Sequence, residues 1–209
     1  MESIKSKNSS DSVTDVRRIT QIGILGAVAF LLMMVEFPLW FAPGFYKLDF
    51  SELPVLIGTF AMGPVSGALI ELVKVLLYFF IHGSSTAGVG DLANFFVGCC
   101  MVVPAGMIYK AHKTRKNAVI GMAVGTIIMS AAAGVFNAFV LLPLFAKAFH
   151  MPMAALIQMG TKVNPSIVDL STFVMLAVVP FNLFKGAVVS VLTFLLYKRV
   201  SPILHGRVR

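Results

Sequence analysis

Three stretches of this chain carry no charged side chain over lengths that match a lipid bilayer: residues 19–35, residues 92–109, and Asn117 to Ala146. A helix needs about 20 mostly apolar residues to cross a hydrocarbon core of roughly 30 Å. A soluble protein of this size could bury one such helix, but hardly five or six. The chain as a whole is 58% hydrophobic and 12% charged, about half the charge of an ordinary soluble domain. The reading is an all-α polytopic membrane protein.

Breakers divide the apolar sequence into six helices. The first is expected over about Arg17 to Phe37, ended by Pro38 and Pro43. An aromatic loop, Trp40 to Phe50, follows at the membrane surface, where Trp and Tyr are favoured. The second piece, Leu53 to Met62, reaches only ~15 Å and can cross only if it is partly buried in the bundle. Pro64 opens a third helix to about Ile81. The fourth covers Asp91 to Tyr109 and the fifth Ala118 to about Leu142. A long loop with Pro143, Pro152 and Pro165 leads to the sixth, Ser171 to Tyr197, with a bend at Pro180. Residues 1–16 read as a disordered leader, 17–200 as the six-helix domain and 201–209 as a basic tail. No internal repeat is evident.

The net charge of +8 points to the membrane and not to nucleic acid. Twelve Lys and Arg fall on segments that are internal if the N-terminus is cytoplasmic; only Lys47, Lys147 and Lys162 fall outside. That excess predicts a bundle of six transmembrane helices with both termini cytoplasmic.

Polar residues inside spans are costly and face the bundle interior or a cavity. Lys185 lies 13 residues before Lys198, hence ~20 Å towards the outside. Asn182 is on the same face, one turn further out. Asn94 lies 16 residues before Lys110 and Asn137 lies 20 after Asn117, at ~24 and ~30 Å. Four polar groups on three helices thus converge near the external face, beside the loop around Tyr46. Such convergence suits a small-molecule site, while a single intramembrane Asn also serves to tie helices together. Glu71 and Lys74, at i and i+3 and nearer the inner half, are expected to neutralise each other. Asp49 is either a loop acid or a cap for the helix at Leu53. Gly23 and Ala27 form a small-xxx-small strip, for packing within this chain or against another helix.

No P-loop, G-x-S-x-G motif or metal-ligand spacing occurs, and adjacent Cys99 and Cys100 read as packing residues. A catalytic role has no residues to carry it; no cofactor and no bound metal are expected.

The segments YKLDFSELPVLIG (Tyr46 to Gly58), GPVSGALIELVKVLL (Gly63 to Leu77), ANFFVG (Ala93 to Gly98) and PFNLFKGAVVSVLTFLLYKR (Pro180 to Arg199) resemble the riboflavin-specific S components of energy-coupling-factor (ECF) vitamin transporters. The resemblance implies a substrate-capture subunit that binds the vitamin from outside. It also implies partners, namely a transmembrane coupling protein and two ATP-binding-cassette ATPases. Positions matching the family's site are Lys47, Leu48, Asp49, Asn94, Asn137, Asn182 and Lys185. Gly23 and Ala27 match its Ala-xxx-Ala contact with the coupling protein, with Gly in the first place. The flavin chemistry is compatible: an Asn amide both gives and takes a hydrogen bond, as an imide edge requires, and Lys donates to a carbonyl or ribityl hydroxyl. Phe95, Phe136, Tyr46 and Trp40 are candidates to cover the ring faces. Binding FMN as well would call for a cation at the mouth, Lys47 or Lys162. Rival readings are an S component for another vitamin such as thiamine or biotin, a lipid-acting intramembrane enzyme, and a passive channel.

Overall fold

The computed structural model describes residues 2–84 and 88–204, with side chains from Asp15 to Ser84 and from Gly88 to Tyr197. The helices are α1 (Glu2–Met33), α2 (Glu52–Met62), α3 (Pro64–Leu77), α4 (Val89–Ala111), α5 (Arg115–Phe136), α6 (Leu142–Ala148), α7 (Met153–Thr161), α8 (Leu170–Phe173) and α9 (Val179–Leu204). Five stretches are long and apolar enough to cross a membrane: Asp15–Met33, Pro64–His82, Val89–Ala111, Arg115–Ala148 and Leu170–Tyr197. Their outward faces carry large apolar side chains, among them Phe80 and Phe139, three-quarters exposed. In water such a surface would aggregate; against lipid tails it is matched.

The short α2 is the exception that the bundle accommodates. Every residue from Pro54 to Phe60 is buried, and the helix packs on α1, α3, α4 and α9. Protein rather than lipid surrounds it, so its 11 residues need not match the bilayer thickness. Close approach elsewhere depends on glycine. A Cβ on Gly125 would sit 2.4 Å from the Met101 carbonyl oxygen, so α5 lies directly on the backbone of α4.

Two expected boundaries are corrected: the first helix ends at Met33, short of Phe37, which lies in a strand, and the fifth span ends beyond Leu142. The fifth span does not stop at Leu142 but runs on through α6 to Ala148. Pro143 has no N–H for the Phe139 carbonyl. A π-helical turn over Asn137–Leu141 absorbs the mismatch, with Leu142 N–H bonding back to the Asn137 carbonyl. The same device precedes Pro180: a π turn over Val174–Val178 joins α8 to α9, so the expected bend is a widened turn. The proline-rich stretch after Ala148 contains α7, an ordered helix rather than a bare loop. Towards the N-terminus, the backbone of α1 continues back to Glu2 through the segment expected to be disordered, whose side chains before Asp15 lie outside those described. The expected basic tail, 201–209, is described only as backbone to Leu204.

The loop between α1 and α2 closes one end of the bundle. Its two ends pair as antiparallel strands β1 (Phe37–Pro38) and β2 (Lys47–Leu48), with Phe37 opposite Leu48. Between them Phe41, Ala42, Phe45 and Tyr46 turn inward and pack on Phe145, Phe173 and Phe181. Trp40 is 90% exposed, as a residue at the membrane surface should be; Tyr46, its expected neighbour there, is instead in the core.

Candidate substrate cavity

A cavity of about 290 Å³ opens under this loop, near the small end of the range for small-molecule sites, roughly 300–1,000 Å³. Its apolar walls come from Met33, Phe45, Tyr46, Tyr78, Phe145 and Phe181. Its polar groups are supplied by the loop (Lys47, Asp49), the start of α2 (Glu52), the start of α4 (Asp91, Asn94) and α9 (Asn182, Lys185). The loop and three helices, far apart in sequence, thus meet at one cavity; of the four polar groups expected to converge, Asn94, Asn182 and Lys185 line it and Asn137 does not.

Lys185 finds its counter-ion outside its own helix. Its Nζ lies 2.8 Å from Asp49 Oδ2, and both side chains are almost fully buried. Asp49 does not cap α2; its Oδ1 accepts from the Ser51 N–H at 2.8 Å, a local turn. Burial pushes the Asp49 carboxyl up, but Lys185, Lys74 and the hydrogen bonds from Lys185 and Ser51 outweigh it and hold it below its ordinary value of 3.8. A carboxyl lowered on folding contributes its stability in full above the ordinary value and loses it as the pH falls through the lower, folded-state value. The gap in thermal unfolding temperature between the wild type and Asp49→Asn is therefore expected to be constant above about pH 5 and to shrink below pH 3.8. A gap that instead vanishes near neutrality would contradict the pairing.

Beneath the cavity floor the expected Glu71–Lys74 couple proves to be part of a larger network. Lys74 Nζ lies 2.5 Å from Glu71 Oε1 and 2.9 Å from Glu52 Oε1, and it also reaches Ser51 Oγ at 3.3 Å. Lys74 and Glu71 have no exposed surface. Gly98 lets α4 approach this network closely: a Cβ there would stand 2.4 Å from Glu71 Oε1 and displace the carboxylate. The pair therefore joins the cavity through Glu52 and Gly98, which line it, without lining it itself.

The other predicted residues divide into two layers. Asn94 and Asn182 line the cavity, and Asn182 anchors its amide on the Val178 carbonyl at 2.8 Å. Asn137 stands one layer behind: its Oδ1 accepts from the Tyr46 hydroxyl and its Nδ2 donates to the Ala133 carbonyl. It positions Tyr46, which faces the cavity. Burial pushes the Tyr46 phenol well above its ordinary value, so it remains a neutral donor to Asn137. Leu48 is buried in the strand pairing and Lys47 is ion-paired to Glu36 at the mouth. Of the aromatic candidates only Tyr46 lines the cavity; Phe136 stacks on Phe96 instead, 5.0 Å between centroids. Sequence reasoning missed Glu36, Glu52 and Asp91. The available signal was position: all three are acids at the outer ends of apolar runs.

Three acceptor oxygens of the cavity-lining residues are buried without a hydrogen-bond partner among the described residues: Glu52 Oε2, Asp91 Oδ2 and Asn94 Oδ1. A buried acceptor left unpaired costs about 1–3 kcal/mol, a cost that a donor reaching these residues would relieve.

On the outside of α1, Gly23 and Ala27 are exposed and a Cβ on Gly23 would meet nothing within 4 Å. Gly26, on the other face, packs against Val73. The small strip is therefore not spent on packing within this chain.

Comparison with known proteins agrees in family and fold. The family model described as "ECF transporter, substrate-specific component" matches residues 17–197. The riboflavin transporter RibU of Staphylococcus aureus (strain TCH60) is 36% identical over 90% of this chain and 92% of its own length. The riboflavin transporter FmnP of Bacillus subtilis (strain 168) is 29% identical over 90% of this chain and 93% of its own length. The solved structure of the S component of a bacterial ECF transporter superposes with a TM-score of 0.72 at 34% identity, covering 91% of this chain and 98% of that one. A buried, multiply lined cavity at one end of an apolar helical bundle, with these relatives, places the chain in the family of ECF transporter substrate-specific components.

Proposed function

We propose that this chain is the riboflavin-binding subunit of a bacterial plasma-membrane importer. It captures the vitamin from outside and passes it inward with an ECF coupling protein and two ABC-type ATPases. The observation that carries the reading is the set of unpartnered acceptors, Glu52, Asp91 and Asn94, around one apolar cavity. Riboflavin brings an imide N–H and ribityl hydroxyls as donors, with a flat ring for the walls of Phe45, Tyr46 and Phe181. Relatives named for riboflavin transport support the same substrate. Six crossings, counting α2, would leave both termini on one side of the membrane, and the charge bias supports the cytoplasm as that side, with the cavity facing out.

The site favours riboflavin over FMN. Lys47 at the mouth is already paired with Glu36, Asp91 adds a further carboxylate, and Lys162 is exposed elsewhere, at the end of α7. A phosphate would meet acids there. The test is direct. The protein is purified in detergent, inspected for a yellow chromophore, and titrated with riboflavin and FMN while flavin and Trp40 fluorescence are followed; Trp40 is the only tryptophan. Tight quenching by riboflavin and weaker quenching by FMN are expected. Absence of riboflavin binding by folded protein would reject the reading in favour of another vitamin.

The exposed Gly23–Ala27 strip is the surface for the coupling protein. Gly23→Leu with Ala27→Leu is expected to abolish uptake in cells carrying the coupling module, while riboflavin binding by the purified variant is unchanged. Loss of binding, or normal uptake, would contradict that assignment.

A further inference from the structure

A second cavity, about 400 Å³, lies at the opposite end of the bundle among α2, α4, α5 and α9. The polar groups around it are all of a kind that receives an anion. Lys113 and Arg115 stand at its rim, both exposed and with no carboxylate within ion-pair distance among the described residues. No Asp or Glu occurs between Asp91 and Asp169, so the whole turn from α4 to α5 is basic. The N-terminus of α5, which starts at Arg115, adds the positive end of its dipole.

The walls are apolar and open sideways. Phe60 and Met122 form the buried back of the cavity, and Phe194 and Leu195, 45% and 62% exposed, form its outer edge on α9. That edge belongs to a membrane-spanning helix, so the cavity communicates with the acyl layer. One hydroxyl is left over inside. Thr193 lines the cavity, and its Oγ1 is buried with no hydrogen-bond partner among the described residues. The buried hydroxyls of Thr59 and Ser130 bond back to the carbonyl four residues earlier; that of Thr193 does not. At the polar end the Tyr109 and Tyr197 hydroxyls share a single hydrogen bond at 3.2 Å, leaving donor capacity for a third group.

We infer that this cavity binds an anionic phospholipid of the inner leaflet, with its phosphate between Lys113 and Arg115 and an acyl chain against Phe60 and Phe194. Basic pockets between membrane helices on the cytoplasmic side suit such headgroups. The combination of rim cations, an unpaired hydroxyl inside and an opening towards the acyl layer matches an amphiphile better than a free anion, which needs no apolar wall. The site is separate from the outer cavity and does not depend on which vitamin that cavity takes.

The test uses the full chain in detergent, titrated with dioleoylphosphatidylglycerol or dioleoylphosphatidylcholine and followed by native mass spectrometry. The anionic lipid is expected to bind about tenfold more tightly, and Lys113→Gln with Arg115→Gln to remove that preference. Thr193→Val, which preserves shape, is expected to weaken both lipids alike by a few-fold, because the ester carbonyls it can reach are common to both. Unfolding temperature confirms that each variant is folded. Equal binding of the two lipids, a preference that survives the double substitution, or competition by glycerol 3-phosphate as effective as the lipid would each overturn the assignment.

Discussion

Lys74→Met is expected to destabilise the protein by about 3–5 kcal/mol and to lower the amount of folded protein in the membrane. Lys74 is fully buried and stands between two carboxylates, Glu52 and Glu71. Removing the ammonium leaves both acids beside Gly98, whose lack of a Cβ already brings α4 against them. Their second oxygens, Glu52 Oε2 and Glu71 Oε2, have no partner among the described residues to share the burden. Charge counting predicts the opposite for the acid. Asp49, Glu52 and Glu71 face only Lys74 and Lys185, so Glu71→Gln removes a surplus negative charge and is expected to be tolerated. Lys74→Met combined with Glu71→Gln should recover part of the loss. Thermal unfolding in detergent reads all three; a Lys74→Met variant as stable as the wild type would show that the network is not structural.

Lys185→Ala is expected to weaken riboflavin binding about 100-fold while the protein stays folded. Truncating one partner of a buried, hydrogen-bonded ion pair at a binding site costs about 2–5 kcal/mol. Here the loss is double: the cavity forfeits a donor, and Asp49, 4% exposed, keeps an unpaired charge at its wall. Asp49→Asn in the Lys185→Ala background relieves the second penalty, so the pair of substitutions is expected to cost less than the sum of each alone. Fluorescence titration of the four proteins gives the coupling. Additive losses would show that Asp49 and Lys185 act separately, and unchanged binding in Lys185→Ala would move the substrate site away from this cavity.

Much of the architecture is legible in one dimension. The uncharged runs define spans because lipid offers no partner to a backbone N–H, so hydropathy alone selects helix. Pro180 flags an irregular turn for an equally local reason, the missing N–H, whereas Pro143 reads as a helix end and is instead carried inside the span by a π turn. The depth of Asn94, Asn182 and Lys185 follows from a fixed rise per residue measured from the basic ends. What the sequence left open is which polar group meets which. Asp49 and Lys185 are 136 residues apart, Tyr46 and Asn137 are 91, and Lys74 adds Glu52, on another helix, to its helical neighbour Glu71. Those choices depend on the rotation and register of packed helices. Gly98 and Gly125 set them through contacts that carry no signature in spacing. Depth in a membrane is a property of each helix alone, and so the sequence determines it; partnership is a property of their packing, and only the tertiary structure decides it.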